Sequence, residues 1–227
     1  MKAIFLVLFI LVCSIVVLFT SYVRANPIIQ ISVSEDDGPP SISPVSLTGD
    51  IVFIPTEPDF LSILVRTVGV PIVNSPNLIT TVLATGADES IFNGDHSLQV
   101  DVIQQNLSPV NADMTTTFAI QNFAGFDQFA GPTFLFDSTD FNPLHFAPFS
   151  ANQISFDIQG PTFVPDITSV QQDFLVFFTQ PGQAITDTIQ TAGTEVIRIN
   201  EPSSFVLLFT LVSLFLLLWR RNLIKAA

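Results

Sequence analysis

The sequence predicts an all-β chain: a β-sandwich of jelly-roll type between a hydrophobic segment at each end. Three observations carry this expectation. Many short stretches alternate apolar and polar residues with period 2, turn signals separate them, and no long amphipathic helical pattern precedes the C-terminal segment. Leu98, Val100 and Val102 alternate with Gln99, Asp101 and Ile103, and Ile154, Phe156 and Ile158 alternate with Ser155, Asp157 and Gln159.

In chain order, residues 1–25 have the form of a secretory signal peptide. Lys2 is the charged start, an apolar run follows from Ala3 to about Phe19, and Val23 and Ala25 take the small positions before cleavage between Ala25 and Asn26. An uncleaved signal anchor is the other reading of this helix. Residues 26–45 read as an acidic, Pro-rich linker or edge strand. Glu35-Asp36-Asp37-Gly38-Pro39-Pro40 opposes packing and reads as solvated, whereas Ile28 to Val33 can form a strand at an edge.

Residues 46–199 are expected to hold the sandwich. Strands are predicted at 47–54, 62–68, 78–84, 98–103, 114–121, 133–137, 154–159, 173–179, 185–190 and 195–199. Asn93-Gly94-Asp95, Gly131-Pro132, Gly160-Pro161 and Pro181-Gly182 supply turns. A short helix is expected near Glu57–Leu64. Without the two hydrophobic ends about 175 residues remain, which suits one domain able to bury a core without disulfides. The sole cysteine, Cys13, lies in the first apolar run, so the exported portion forms no disulfide, a leaning toward bacterial export.

Charge and ring content restrict partners. Between Asn26 and Ser204 stand all 20 acidic residues against two bases, Arg66 and Arg198, a formal charge of −18. Such a surface repels nucleic acid and anionic headgroups. The same window holds 17 of the 23 phenylalanines and neither the tryptophan nor the tyrosine. Phenylalanine fills cores without a polar handle. Phe118, Phe123, Phe126, Phe129, Phe134, Phe136, Phe141, Phe146 and Phe149 are therefore expected mainly between the sheets, with exposure as an association patch the alternative. The lack of Trp and Tyr argues against a lectin that stacks sugars on those rings.

Residues that carry site chemistry are sparse. Asp88, Glu89, Asp95, Asp137 and Asp140 lie in acidic loop stretches that offer oxygen ligands to calcium; solvated loops are the alternative, and no EF-hand pattern is present. His96 and His145 are the only histidines. His145 stands near Asp137, Asp140 and Asn142 in sequence, where a metal or general-base role is conceivable, against the simpler reading of isolated loop or half-buried histidines. No Gly-x-Ser-x-Gly elbow and no exported cysteine is present, so a secreted hydrolase has little support and no catalytic residue or required cofactor is assigned.

Residues 200–227 end the chain. Glu201-Pro202-Ser203-Ser204 precede an apolar run from Phe205 to Trp219, extendable to 203–219, and Arg220, Arg221 and Lys225 follow. The run is short for a permanent span, which needs about 20 residues. The basic end is expected to stay cytoplasmic.

This tail resembles the PEP-CTERM sorting signal of bacteria that make exopolysaccharide. Glu201 and Pro202 match the motif's last two positions, Ser203 and Ser204 its small polar follow-on, and Arg220 and Arg221 its basic end; Asn200 stands in place of the first proline. The resemblance is confined to the tail. It implies recognition and cleavage by an exosortase-type membrane transpeptidase after signal peptidase has acted, then display on the cell surface or in the extracellular matrix. A plain single-span anchor is the alternative. The expected function is therefore that of an exported, non-enzymatic surface or matrix protein, with exopolysaccharide as a partner. A calcium-dependent carbohydrate or adhesion module stands second and a secreted hydrolase third.

Overall fold

The structure, a computed structural model, describes residues 27–69, 76–86, 94–107, 109–121, 130–140, 142–150 and 154–196. The signal segment, its cleavage point, the C-terminal helix expected at 203–219 and the sorting residues lie outside the described residues. Among the described residues no helix is long and apolar enough to cross a membrane.

The described chain is all-β. Its strands are β1 (Ile28–Glu35), β2 (Ser41–Ile42), β3 (Asp50–Phe53), β4 (Phe60–Gly69), β5 (Asn77–Gly86), β6 (His96–Gln105), β7 (Val110–Gln121), β8 (Thr133–Thr139), β9 (Asn142–Phe149), β10 (Ser155–Ile167), β11 (Val170–Phe178) and β12 (Ala184–Glu195). They form two six-stranded antiparallel sheets. The first runs β2-β1-β6-β11-β8-β9 and the second β10-β7-β12-β5-β4-β3.

Alternation produces the sandwich. Leu98, Val100 and Val102 of β6 turn inward, as do Ile29, Ile31 and Val33 of β1 and Phe174, Val176 and Phe178 of β11. From the second sheet Val82, Met114, Phe118, Ile185 and Ile189 meet them in one buried cluster. Phe60 of β4 stands edge-on to Phe178 of β11 across the sandwich, centroids 4.9 Å apart. Each such side chain, fully buried, contributes about 1.5–3 kcal/mol of transfer free energy. Gln172 spans the same gap: its Nε2 donates to the carbonyls of Leu78 and Ile189 and to Thr191 Oγ1.

Four expectations are corrected in detail. The helix expected near Glu57–Leu64 is instead a turn leading into β4, whose register slips between Phe60 and Ser62. The bulge breaks the strict alternation that marks a strand. Strand β9 was hidden by Pro143 and Pro148; it sits at a sheet edge, where a missing N–H costs no ladder bond.

The Gly160-Pro161 turn is a bulge inside β10, the opposite sheet's edge, and register shifts between Gln159 and Thr162. Gly160 has φ +104°, and a Cβ there would lie 2.4 Å from the Met114 carbonyl oxygen. The apolar set of β10 also faces outward: Phe156 and Ile158, with Ile154 just before the strand, are exposed, while Gln159 reaches the β9 backbone. The strand expected at Ile28 to Val33 is present and runs on to Glu35. It pairs with β6 along its whole length, and the short β2 on its other side takes the sheet edge.

Candidate functional site

Three polar groupings emerge from the strand register. The first lies between the sheets. Asp137 takes an inward position on β8, opposite His145 of β9. Its Oδ2 accepts hydrogen bonds from Thr116 and from Thr191 (3.1 Å), both of the other sheet, and its Oδ1 accepts the His145 N–H at 2.9 Å. The His145 ring nitrogens lie 2.9 Å from Thr116 Oγ1 and 3.1 Å from Thr162 Oγ1. Burial raises the Asp137 pKa, and the Thr116, His145 and Thr191 contacts offset this in part. A carboxylate, an imidazole and a hydroxyl thus stand in line, but both ring nitrogens are held by threonine hydroxyls. The arrangement acts as a polar clasp between the sheets.

Above this clasp, on the outer face of the first sheet, lies a groove of about 580 Å³ lined among others by Phe136, Pro143, Phe146, Gln159, Gln171 and Asp173. Phe136 and Phe146 stack at 4.7 Å and 27°, Phe134 lies parallel to Phe146 at 6.2 Å, and Phe177 meets Phe134 edge-on. Phe136 is 37% exposed and Phe146 43%. The phenylalanine set therefore divides. Phe118 and Phe149 are core, and Phe136 and Phe146 form an outer patch, whereas Phe123, Phe126, Phe129 and Phe141 lie outside the described residues.

Amide and carboxylate groups flank the rings. Register sets Asp173 of β11 directly between Phe136 of β8 and Asp101 of β6. Gln171 donates to Asp173 at 2.7 Å and Gln99 to Asp101 at 3.0 Å. Burial first, with the neighbouring Asp101 adding to it, pushes the Asp173 carboxyl up to about 6, although the Gln171 bond opposes the shift.

The third grouping joins β1, β6 and the segment before β4. After β1 the chain turns sharply, with Gly38 N–H bonded to the Glu35 carbonyl and Asp36 and Asp37 at φ 47° and 59°. Such left-handed turn residues favour Asp, Asn and Gly. The turn delivers Asp36 to the first residues of β6: Oδ1 accepts the Ser97 N–H at 2.6 Å and Oδ2 lies 2.8 Å from His96 Nδ1. Glu35 Oε1 and Asp59 Oδ2 stand 3.4 and 3.7 Å from the same nitrogen.

Burial, then Asp59, raise the Glu35 carboxyl to about 7. Burial also opposes ionisation of Asp36, but the Ser97 and His96 bonds outweigh it and hold Asp36 below its ordinary 3.8. The solvated-linker reading of Glu35-Asp36-Asp37 and the isolated-loop reading of His96 are corrected here. The pairing of Asp36 with His96 spans 60 residues of sequence and leaves no local signal.

The five acids expected as calcium ligands do not form one site among the described residues. Asp88 and Glu89 lie outside these residues, and Asp95 is exposed just before β6. Asp137 is enclosed in the inter-sheet clasp. Asp140 closes a turn instead, accepting the N–H and hydroxyl of both Thr168 and Ser169 through Oδ1. The sequence proximity of His145 to Asp137 is the one local signal that matches a contact.

No protein-family model matches the chain, and no curated protein sequence does. Among solved structures, the chain is similar to the enzymatically active domain of tailspike protein 4 of bacteriophage CBA120. The identity is 11% and the TM-score 0.27, over 73% of this chain and 19% of that one. A likeness at that score carries no conclusion about activity.

Proposed function

We propose that the protein is an exported, non-enzymatic surface or matrix protein that holds neutral polysaccharide in the aromatic groove of its first sheet. The observation supporting this most is the stacked pair Phe136 and Phe146 set beside Gln159, Gln171 and Asp173. Sugars present apolar C–H faces to rings and hydroxyls to planar amides and carboxylates. Phenylalanine takes the stacking role here, since the exported window has no Trp or Tyr. A neutral glycan fits better than an acidic one, because the −18 charge of that window repels polyanions.

The scaffold is read as a jelly roll. Strands β5-β12-β7-β10 and β6-β11-β8-β9 form its two four-stranded halves, with β4 and β3 extending one edge and β1 and β2 another. Delivery rests on the PEP-CTERM-like tail. Signal peptidase cuts after Ala25, the 203–219 segment halts in the inner membrane, and an exosortase-type enzyme releases the domain to the surface. Mass spectrometry of the mature protein tests this: a C-terminus near Ser203 supports processing, and a retained Arg220-Arg221 favours a permanent anchor.

Affinity electrophoresis through gels containing neutral or acidic polysaccharide tests the binding reading. Retardation by a neutral glycan is expected, with about tenfold weaker binding, equivalent to about 1.4 kcal/mol, for a Phe136→Ser, Phe146→Ser double variant. Equal retardation of the variant refutes the groove. Retardation only by acidic glycan in the presence of calcium favours the calcium-dependent module, and measurable chain scission overturns the non-enzymatic assignment.

A further inference from the structure

We propose that Glu35, Asp36, Asp59 and His96 form a binding site for a first-row divalent cation of the zinc type, which ties the end of the first sheet to the start of β4 in the second. The site is independent of the polysaccharide groove. Glu35, Asp36 and His96 each offer a ligand atom within 4.8 Å of the other two. Asp59 Oδ2 joins them on the His96 side, so that Asp36 Oδ2, Glu35 Oε1 and Asp59 Oδ2 stand 2.8, 3.4 and 3.7 Å from His96 Nδ1. Four ligands at about 2.1 Å in a tetrahedron are separated by about 3.4 Å, and the three spacings from His96 Nδ1 bracket that edge.

A second observation singles out this cluster among the many acids. The Glu35 side chain is only 8% exposed, and its Oε1, aimed at the imidazole, is buried and accepts no hydrogen bond. A buried carboxylate oxygen without a donor is costly. A cation satisfies it. Asp36 and Asp59 keep an opening to solvent, with side chains 45% and 28% exposed, which leaves an entry path. The Ser97 N–H and hydroxyl both donate to Asp36 Oδ1, fixing that carboxylate from behind and leaving Oδ2 toward the site.

The donor set discriminates between metals. One imidazole nitrogen and three carboxylate oxygens suit zinc and its first-row neighbours, whereas calcium takes six to eight oxygens. The cation's role here is structural. Glu35 ends β1, His96 opens β6, and Asp59 immediately precedes Phe60, the first residue of β4. Metal binding thus closes the sandwich at the end where Phe60 packs on Phe178.

The test uses the purified, untagged full-length chain, with zinc chloride as probe and calcium chloride as comparison. Isothermal titration is expected to give one zinc per chain, and a hundredfold excess over Kd is expected to raise Tm by about 5–10 °C. His96→Asn is expected to abolish the shift, and Glu35→Gln or Asp59→Asn to weaken zinc binding about 10–100-fold.

A readout on the unaltered chain covers the case in which a variant fails to fold. Cobalt(II) is expected to shift the His96 imidazole proton resonances and spare those of His145, about 20 Å away along the strands. No saturable zinc binding, an equal calcium-induced shift, unchanged binding in His96→Asn, or cobalt shifts at His145 rather than His96 would each overturn the proposal.

Discussion

Asp187 offers a sharp test of the physical account of the interior. It lies on β12, fully buried, between the inward-facing Ile185 and Ile189 and opposite Val82 and Ile120 on the neighbouring strands. Neither carboxyl oxygen has a hydrogen-bond partner. Burial pushes its pKa from the ordinary 3.8 to about 8, so the folded protein holds this carboxyl protonated at neutral pH while the unfolded chain releases the proton.

Because the folded value is raised, the associated stability is present in full below about pH 4 and declines as pH rises to about 8. Each unit in that window costs about 1.4 kcal/mol, which amounts to about 4 kcal/mol at pH 7. Asp187→Asn keeps the volume and one buried polar group but cannot ionise. Guanidinium denaturation followed by far-UV circular dichroism at pH 5, 6, 7 and 8 compares the two proteins. The variant is expected to gain on the parent with every step, reaching several kcal/mol at pH 7. Glu35 and Asp173 carry raised values in both proteins and cancel in the difference. A stability difference that stays constant across this range refutes the reasoning, because it places Asp187 in contact with water or a donor.

Further outcomes follow from the same structure. Phe118→Ala and Phe174→Ala, each removing a fully buried ring from the centre of a sheet, are expected to cost about 3–5 kcal/mol in the same denaturation assay. Asp140→Ala strips the acceptor from the Thr168 and Ser169 donors and places alanine at φ 48°, for an expected loss of about 1–3 kcal/mol. Asp140→Asn, which tolerates that φ and keeps an oxygen acceptor, is expected to lose less.

Alternation is a local property, so the sequence by itself determined the all-β class and the sites of most strands. Leu98, Val100 and Val102 point the same way in any sheet that buries one face. Sequence proximity hints at His145 beside Asp137, but the favoured reading from sequence is an isolated or half-buried histidine, and the contact depends on strand β9, which the sequence does not reveal. Residue type alone could not decide which way an edge strand turns. The apolar set of β10 faces solvent, and the prolines of β9 mark an edge that only strand order reveals.

The tertiary structure decided everything that depends on register between distant segments. Asp36 meets His96, Asp173 stands between Asp101 and Phe136, and Thr116 and Thr191 reach Asp137 from the opposite sheet. The physical reason is parity and pairing. A one-residue shift in any of these strands sends the same carboxylates and rings to the other face, and the sequence carries no separate signal for that phase.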